Sequence, residues 1–233
     1  MNKLIIGNDY DAEMLVIQED TDMLVKFSNA SKKINIIVEN DLVLNIMELS
    51  FNTQNTISIV LKENSRVIYN RAIKDVDDII NISMDGKASS VEMNISAINN
   101  TKTKCVLDII HNNVETVSKL SNHGINLSTG ELIFYVNSQI KSCGQKSITN
   151  QENRIMNTNC GKSNIFPNLI VDNNDIEANH SAYISDFDKE SLFYLKSRGI
   201  SEHVARELLT NGFLIGNLTN KEIYEQELVN FFK

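Results

Sequence analysis

Thr56-Ile57-Ser58-Ile59-Val60-Leu61-Lys62 is the stretch that sets the fold class. Its apolar residues recur at every second position, the period of a strand with one face turned inward. The pattern returns in Lys33-Ile34-Asn35-Ile36-Ile37-Val38-Glu39, Ile79-Ile80-Asn81-Ile82-Ser83-Met84 and Ser90-Val91-Glu92-Met93-Asn94-Ile95-Ser96. It returns again in Lys104-Cys105-Val106-Leu107-Asp108-Ile109-Ile110 and Glu131-Leu132-Ile133-Phe134-Tyr135-Val136. Polar turns such as Asp85-Gly86 and Asn99-Asn100 separate these runs, which read as strands of about four to seven residues. No amphipathic helix interrupts them, so the body is all-β and not α/β. Sandwich, barrel and solenoid all remain open from the pattern. The abundance of Asn in turns suits a solenoid, where Asn stacks in ladders, but no strict hexapeptide or nonapeptide period is present.

Past Ile184 the texture changes, which places a β core over residues 1–185 and a small helical domain over residues 186–233. Asp188 is a helix cap ahead of Leu192, Phe193 and Leu195, with Gly199 at the closing C′ position. Ser201 caps a second expected helix with Val204, Ala205, Leu208 and Leu209 inward and Gly212 ending it. Thr219-Asn220-Lys221-Glu222 has the form of a capping box, with Ile223, Leu228, Phe231 and Phe232 on one face behind it. Three short helices are marginal alone, so they are expected to pack on the β body or on another protein.

Composition narrows the function. With 42% hydrophobic residues in 233, the chain can bury a core, and no apolar run reaches the ~18 residues of a bilayer span. The opening Met1-Asn2-Lys3-Leu4-Ile5-Ile6-Gly7 is not a secretory signal, which sets the expectation of a cytoplasmic protein. A net charge of -8 disfavours nonspecific nucleic-acid binding. Cys105, Cys143 and Cys160 make no C-x-x-C and are odd in number, which speaks against a disulfide framework and against an all-cysteine zinc site. There is no P-loop, G-x-S-x-G, H-E-x-x-H or G-x-G-x-x-G, so the chain is not expected to be an enzyme or to bind nucleotide directly.

The segment from Asp175 through His180-Ser181-Ala182-Tyr183 into Asp188-Lys189-Glu190-Ser191-Leu192-Phe193-Tyr194-Leu195-Lys196-Ser197-Arg198-Gly199, and on to Phe213, strongly resembles the C-terminal region of the SufB/SufD family of iron–sulfur cluster assembly proteins. Gln151-Glu152-Asn153-Arg154, His111 with Thr116 and Ser118, and Gly130-Glu131-Leu132 are similar to further family segments. The resemblance covers roughly residues 105–215. It implies a right-handed parallel β-helix followed by helices that dock an ABC-type ATPase, SufC. It also implies pairing of the β-helix with a SufB-type subunit or a second copy of the chain. Ser181 after His180 is SufD-like, and the family's N-terminal helical region is not seen, so the chain reads as a short SufD-like variant. Cys160-Gly161 ahead of Phe166-Pro167 echoes a SufB-type cysteine with one residue more in between.

Under that resemblance His180 and Cys160 are the candidate metal ligands, since imidazole and thiolate both suit iron. At 20 residues apart they would meet on adjacent rungs if a rung has about that length. Two ligands fall short of the usual four, so a transient iron–sulfur cluster would be shared with a partner or completed by a carboxylate such as Glu177. Leu192, Phe193, Tyr194, Arg198 and Gly199 are the candidate ATPase contacts, because one helix face cannot bury four consecutive large side chains in its own domain. The alternatives are a homodimeric β-helix protein that docks the ATPase without a cluster, and a β-helix carbohydrate-active enzyme with stacked acidic residues.

Overall fold

The computed structural model of the chain describes every residue except Ser128, Asn159, Cys160, Phe187 and Lys233. Among the described residues the body is a parallel β-solenoid built from two sheets. One sheet collects β1 (Asn2–Ile6), β3 (Thr21–Ser28), β5 (Val43–Phe51), β7 (Arg66–Lys74), β9 (Ser90–Asn99), β11 (Val117–Asn126), β13 (Ser147–Asn157) and β15 (Ile176–Asp186). The other collects β2 (Met14–Ile17), β4 (Lys33–Val38), β6 (Thr56–Leu61), β8 (Asp77–Met84), β10 (Lys102–His111), β12 (Glu131–Ile140) and β14 (Lys162–Val171). Each coil contributes one strand to each sheet, so every neighbour lies one coil away. The solenoid, left open by pattern alone and implied by the resemblance, is the architecture.

The coils lengthen along the chain. Asn2 is in register with Thr21, an offset of 19, and Thr21 with Leu44, an offset of 23. The offset reaches 27 at Ser90–Val117 and 31 at Val117–Ile148. The strands lengthen with them, from 5 residues in β1 to 11 in β13, beyond the four to seven expected. Inward side chains from both sheets make one apolar core that includes Phe27, Ile46, Ile80 and Phe134.

Asparagine fits the corners for two reasons. Asn29, Asn52 and Asp75, each 23 residues apart, hold φ of 50°, 51° and 52°, a left-handed conformation that Asn and Asp tolerate. Their side chains also bridge coils: Asn52 Nδ2 donates to Asn29 Oδ1 at 2.7 Å, and at another corner Asn64 Nδ2 donates to Asp41 Oδ1 at 3.0 Å. On the outer face of the second sheet, Asn137 donates to Asp108 and Asn168 to Asn137, extending the ladder over three coils. Gly86 shows how tightly the turns stack. A Cβ there would lie 2.0 Å from the backbone nitrogen of Glu63 in the preceding coil.

The tail forms α1 (Lys189–Ser197), α2 (Glu202–Asn217), a 3-10 turn (Glu222–Tyr224) and α3 (Glu225–Phe231). α1 begins as expected, with Asp188 accepting from the Glu190 and Ser191 amides, and Gly199 follows it at φ 84°. Three expectations are corrected. α2 does not stop at Gly212 but runs on to Asn217, because a β-sheet lies alongside to take Leu214 and Ile215. Val204 and Leu208, expected inward, are exposed, and only Ala205 of that set is buried. The capping box does not form either: the Thr219 amide and hydroxyl turn to Asn70 Oδ1 at 3.0 and 3.3 Å, and Ile223 is exposed. α2 and α3 instead share a second apolar cluster with Met47, Leu49, Ala72, Ile98 and Ile125 on the outer face of the first sheet.

Candidate functional site

Three polar features are built into the solenoid. The first lies in its sealed interior. Glu48 and Arg71 are register partners on β5 and β7, and Asp78 faces them from β8. Arg71 donates to both Glu48 oxygens at 2.7 Å and to Asp78 Oδ2 at 2.6 Å, and all three side chains are inaccessible to solvent. Tyr69 and Ser50 also donate to Glu48, and Thr53 and the Asn55 amide to Asp78. Burial works to raise both carboxyls. At Glu48 the Arg71 charge and the hydrogen bonds outweigh it and hold the group below its usual range, while Asp78 stays raised. Cys105 Sγ lies 3.6 Å from Arg71 Nη1, and burial pushes its thiol up to about 12, so it is a neutral core residue as its sequence context suggests. The sequence reading missed this cluster. Its signal was two charged residues, each inside an apolar run, separated by one coil of 23 residues.

The second feature is a hydroxyl and amide lattice at the wide coils. His111 Nδ1 meets Thr116 Oγ1 at 2.7 Å and Nε2 meets Ser118 Oγ at 2.9 Å. Thr116 and Ser118 continue to Ser147 and Thr149 on the next coil, each at 2.8 Å. Gln151 donates to Ser138 across the interior, and Asn122 to Asn153 along it. The residues carrying much of the upstream resemblance are therefore interior struts. With burial pushing its pKa down to about 4, His111 is a neutral ring that accepts and donates one bond each.

The third feature is the open end of the coil, where β14 and β15 are the outermost strands. Gln151 points into the core, and its register partner on β15 is His180, so His180 stands on the inner column with no described strand stacked above it and is exposed. The Lys146 amide donates to Asp175 O at 2.6 Å, so alternation turns the backbone amides of Ala178, His180 and Ala182 toward the free edge. On β14 the Lys162 amide donates to Gly130 O, which directs the position of Pro167 outward, where a missing N–H costs the sheet nothing. Phe166, Ile170, Tyr183 and Ile184 are exposed around this end.

Cys160 lies outside the described residues. A rung of about 20 residues occurs only at the first coil; the last offset, from Gln151 to His180, is 29, and the residue one coil below His180 is Gln151. Among the described residues no three His, Cys, Asp or Glu side chains group as a metal site. Nor does any described carboxylate have a carboxylate as register partner. Charged rows alternate in sign, as in Lys102–Glu131–Lys162.

After β15 in the chain, α1 buries none of its residues. Leu192 is half-buried, whereas Phe193 is 74% and Tyr194 57% exposed. The Arg198 guanidinium lies 5.2 Å from the Tyr194 ring centre, and its backbone amide closes the helix on Leu195 O. Lys196 and Arg206 both bond Glu202, at 2.7 and 2.9 Å, tying α1 to α2 through an exposed ion network. No described helix is long and apolar enough to cross a membrane.

Comparison with known proteins places this geometry. The family model described as SUF system FeS cluster assembly, SufBD core domain, matches residues 50–213. The chain is 31% identical over 107 residues to the iron-sulfur cluster assembly protein SufD of Bacillus subtilis, covering 46% of this chain and 24% of that one. It is 32% identical over 103 residues to Protein ABCI7, chloroplastic, of Arabidopsis thaliana, covering 42% and 22%. A SufD of Plasmodium falciparum is 52% identical over 50 residues, 21% of this chain and 3% of that one. The matches thus span less than a quarter of the length of these relatives.

Proposed function

Because the chain belongs to the SufBD core family of the SUF iron–sulfur cluster assembly system, we propose that it is a cytoplasmic scaffold subunit that couples a nucleotide-driven motor to a cluster-handling site. The motor is an ABC-type ATPase of the SufC kind, docked on α1 through Leu192, Phe193, Tyr194, Arg198 and Gly199. The observation that carries this reading is a helix with no buried residue and two adjacent exposed aromatics, because large rings in water are held at a cost that a partner's groove removes. The β-helix pairs, through its open β14 and β15 edges, with a SufB-type subunit or a second copy.

The pairing reading gives His180 a role. Its imidazole stands at the edge where a second subunit would add strands, so iron or a cluster in transit would be held between two chains. His180 and Cys160 would supply donors from this side, with Glu177 as a further candidate. Retention of a co-expressed SufC-type ATPase by the wild-type chain, lost in Phe193→Ala, is the expected result. A wild type that retains no ATPase, or a Phe193→Ala chain that retains it fully, overturns the docking reading. Anaerobic reconstitution with iron and sulfide tests the ligands: His180→Ala and Cys160→Ala should each lower bound iron.

A second reading is a homodimeric subunit that docks the ATPase but holds no cluster. Unchanged iron in both variants would favour it. The carbohydrate-active alternative draws no support from the described rows, where no carboxylates stack.

A further inference from the structure

The end of the solenoid opposite His180 has free edges of its own. β1 and β2 are outermost in their sheets. The Asn2 amide donates to Asp20 O at 2.8 Å, so along β1 the amides of Lys3 and Ile5 point away from β3. The Asn35 amide donates to Glu13 O, which leaves those of Met14 and Val16 facing outward on β2. Apart from Lys3, the side chains at these positions are apolar and open to solvent, Ile5 at 74%, Met14 at 61% and Val16 at 41%. Natural edges are usually guarded by Lys, Pro or a covering element. Here β1 has only Lys3 and β2 has none of these.

Charge says what fits. Residues 1–22 carry Asp9, Asp11, Glu13, Glu19, Asp20 and Asp22 against Lys3 alone, five of the chain's eight net negative charges. Asp11 pairs with Lys32 at 3.3 Å, Asp20 accepts from the Val43 amide and Asp22 from Asn45. Asp9, Glu13 and Glu19 are exposed and make no ion pair among the described residues. A second copy approaching edge to edge would set acids against acids, whereas an extended cationic segment would gain both strand hydrogen bonds and attraction. We propose that the β1/β2 edge is a docking site for an extended, lysine- or arginine-rich segment of a partner protein, which adds to the solenoid as a strand. This end lies outside residues 50–213 matched by the family model, so the proposal stands apart from the assembly reading.

The test uses the full chain and a labelled peptide of about nine residues alternating Val and Lys, with a Val/Glu peptide as its counterpart. Fluorescence anisotropy should show saturable binding of the Lys peptide that weakens as salt rises, and none of the Glu peptide. Ile5→Pro removes one outward amide and leaves the bonds to β3. It should weaken binding about tenfold, as should the Asp9→Lys/Glu13→Lys pair. Equal binding of both peptides, no binding of the Lys peptide, or wild-type affinity in the charge-reversed pair would overturn the proposal. So would a dimer by sedimentation that Ile5→Pro dissolves, because the occupant would then be a second copy. If Ile5→Pro lowers the melting temperature, the charge-reversed pair decides alone.

Discussion

The coil that holds Arg71 and the coil that holds His180 share one backbone plan and use it to opposite ends. Around Arg71 there is a coil on either side, and every polar atom of the guanidinium cluster is met by protein. Around His180 one neighbouring coil is missing, and the inner column ends in water. In a solenoid, position along the axis decides whether an inward residue is structural or available. Residue type alone does not: His111 and His180 both face inward, yet one is a sealed strut and the other is exposed.

The sharpest way to break this contrast is to remove one partner from the sealed cluster. Arg71→Met should destabilise the chain by about 3–5 kcal/mol, since it leaves Glu48 and Asp78 buried without their cation. Chemical denaturation will read this, and a loss near zero would mean the interior is wetter than its geometry says. Acid should act next. The unfolded His111 takes up a proton below its ordinary value of 6.5, but the folded ring resists until about 4. Stability on this account is level above 6.5 and falls as pH drops through that window, by roughly 3 kcal/mol in all. His111→Gln should flatten that limb of the pH–stability curve.

Gly124→Ala should cost about 1–3 kcal/mol by overpacking, because a Cβ there would come within 2.6 Å of Leu132 Cδ2. A thermal melt is sufficient to see it. At the open end the same kind of change should do almost nothing to folding. His180→Ala and Phe193→Ala are each expected within about 0.5 kcal/mol of wild type. A large loss in either would show that the exposed region is part of the fold and not a contact surface.

The sequence made the inward–outward alternation legible wherever one strand face meets solvent, as at Thr56–Leu61. It failed at Val43–Phe51, because Met47 and Leu49 are covered by α2 and α3 and the alternation vanishes. It failed again at Val117–Asn126, whose inward column includes Ser118, Asn122 and Asn126, polar residues that each donate a hydrogen bond into the lattice. Asp188 and Gly199 marked α1 because capping is local chemistry. The end of α2 was not legible, since the sheet that holds Leu214 comes from residues about a hundred positions earlier. Of the candidate site, the exposure of Phe193 and Tyr194 could be foreseen from four adjacent large residues. The partner column of His180 could not, because coil length is set by corners that carry no fixed period.

Those unequal corners have a consequence for assembly. A tube whose turns grow from 19 residues to 31 has a narrow mouth and a wide one. It therefore carries an arrow along its axis, and a second copy cannot continue it head to tail without a mismatch of girth. Growth into a fibre is frustrated by shape, since mouths of equal girth meet only when two copies face each other.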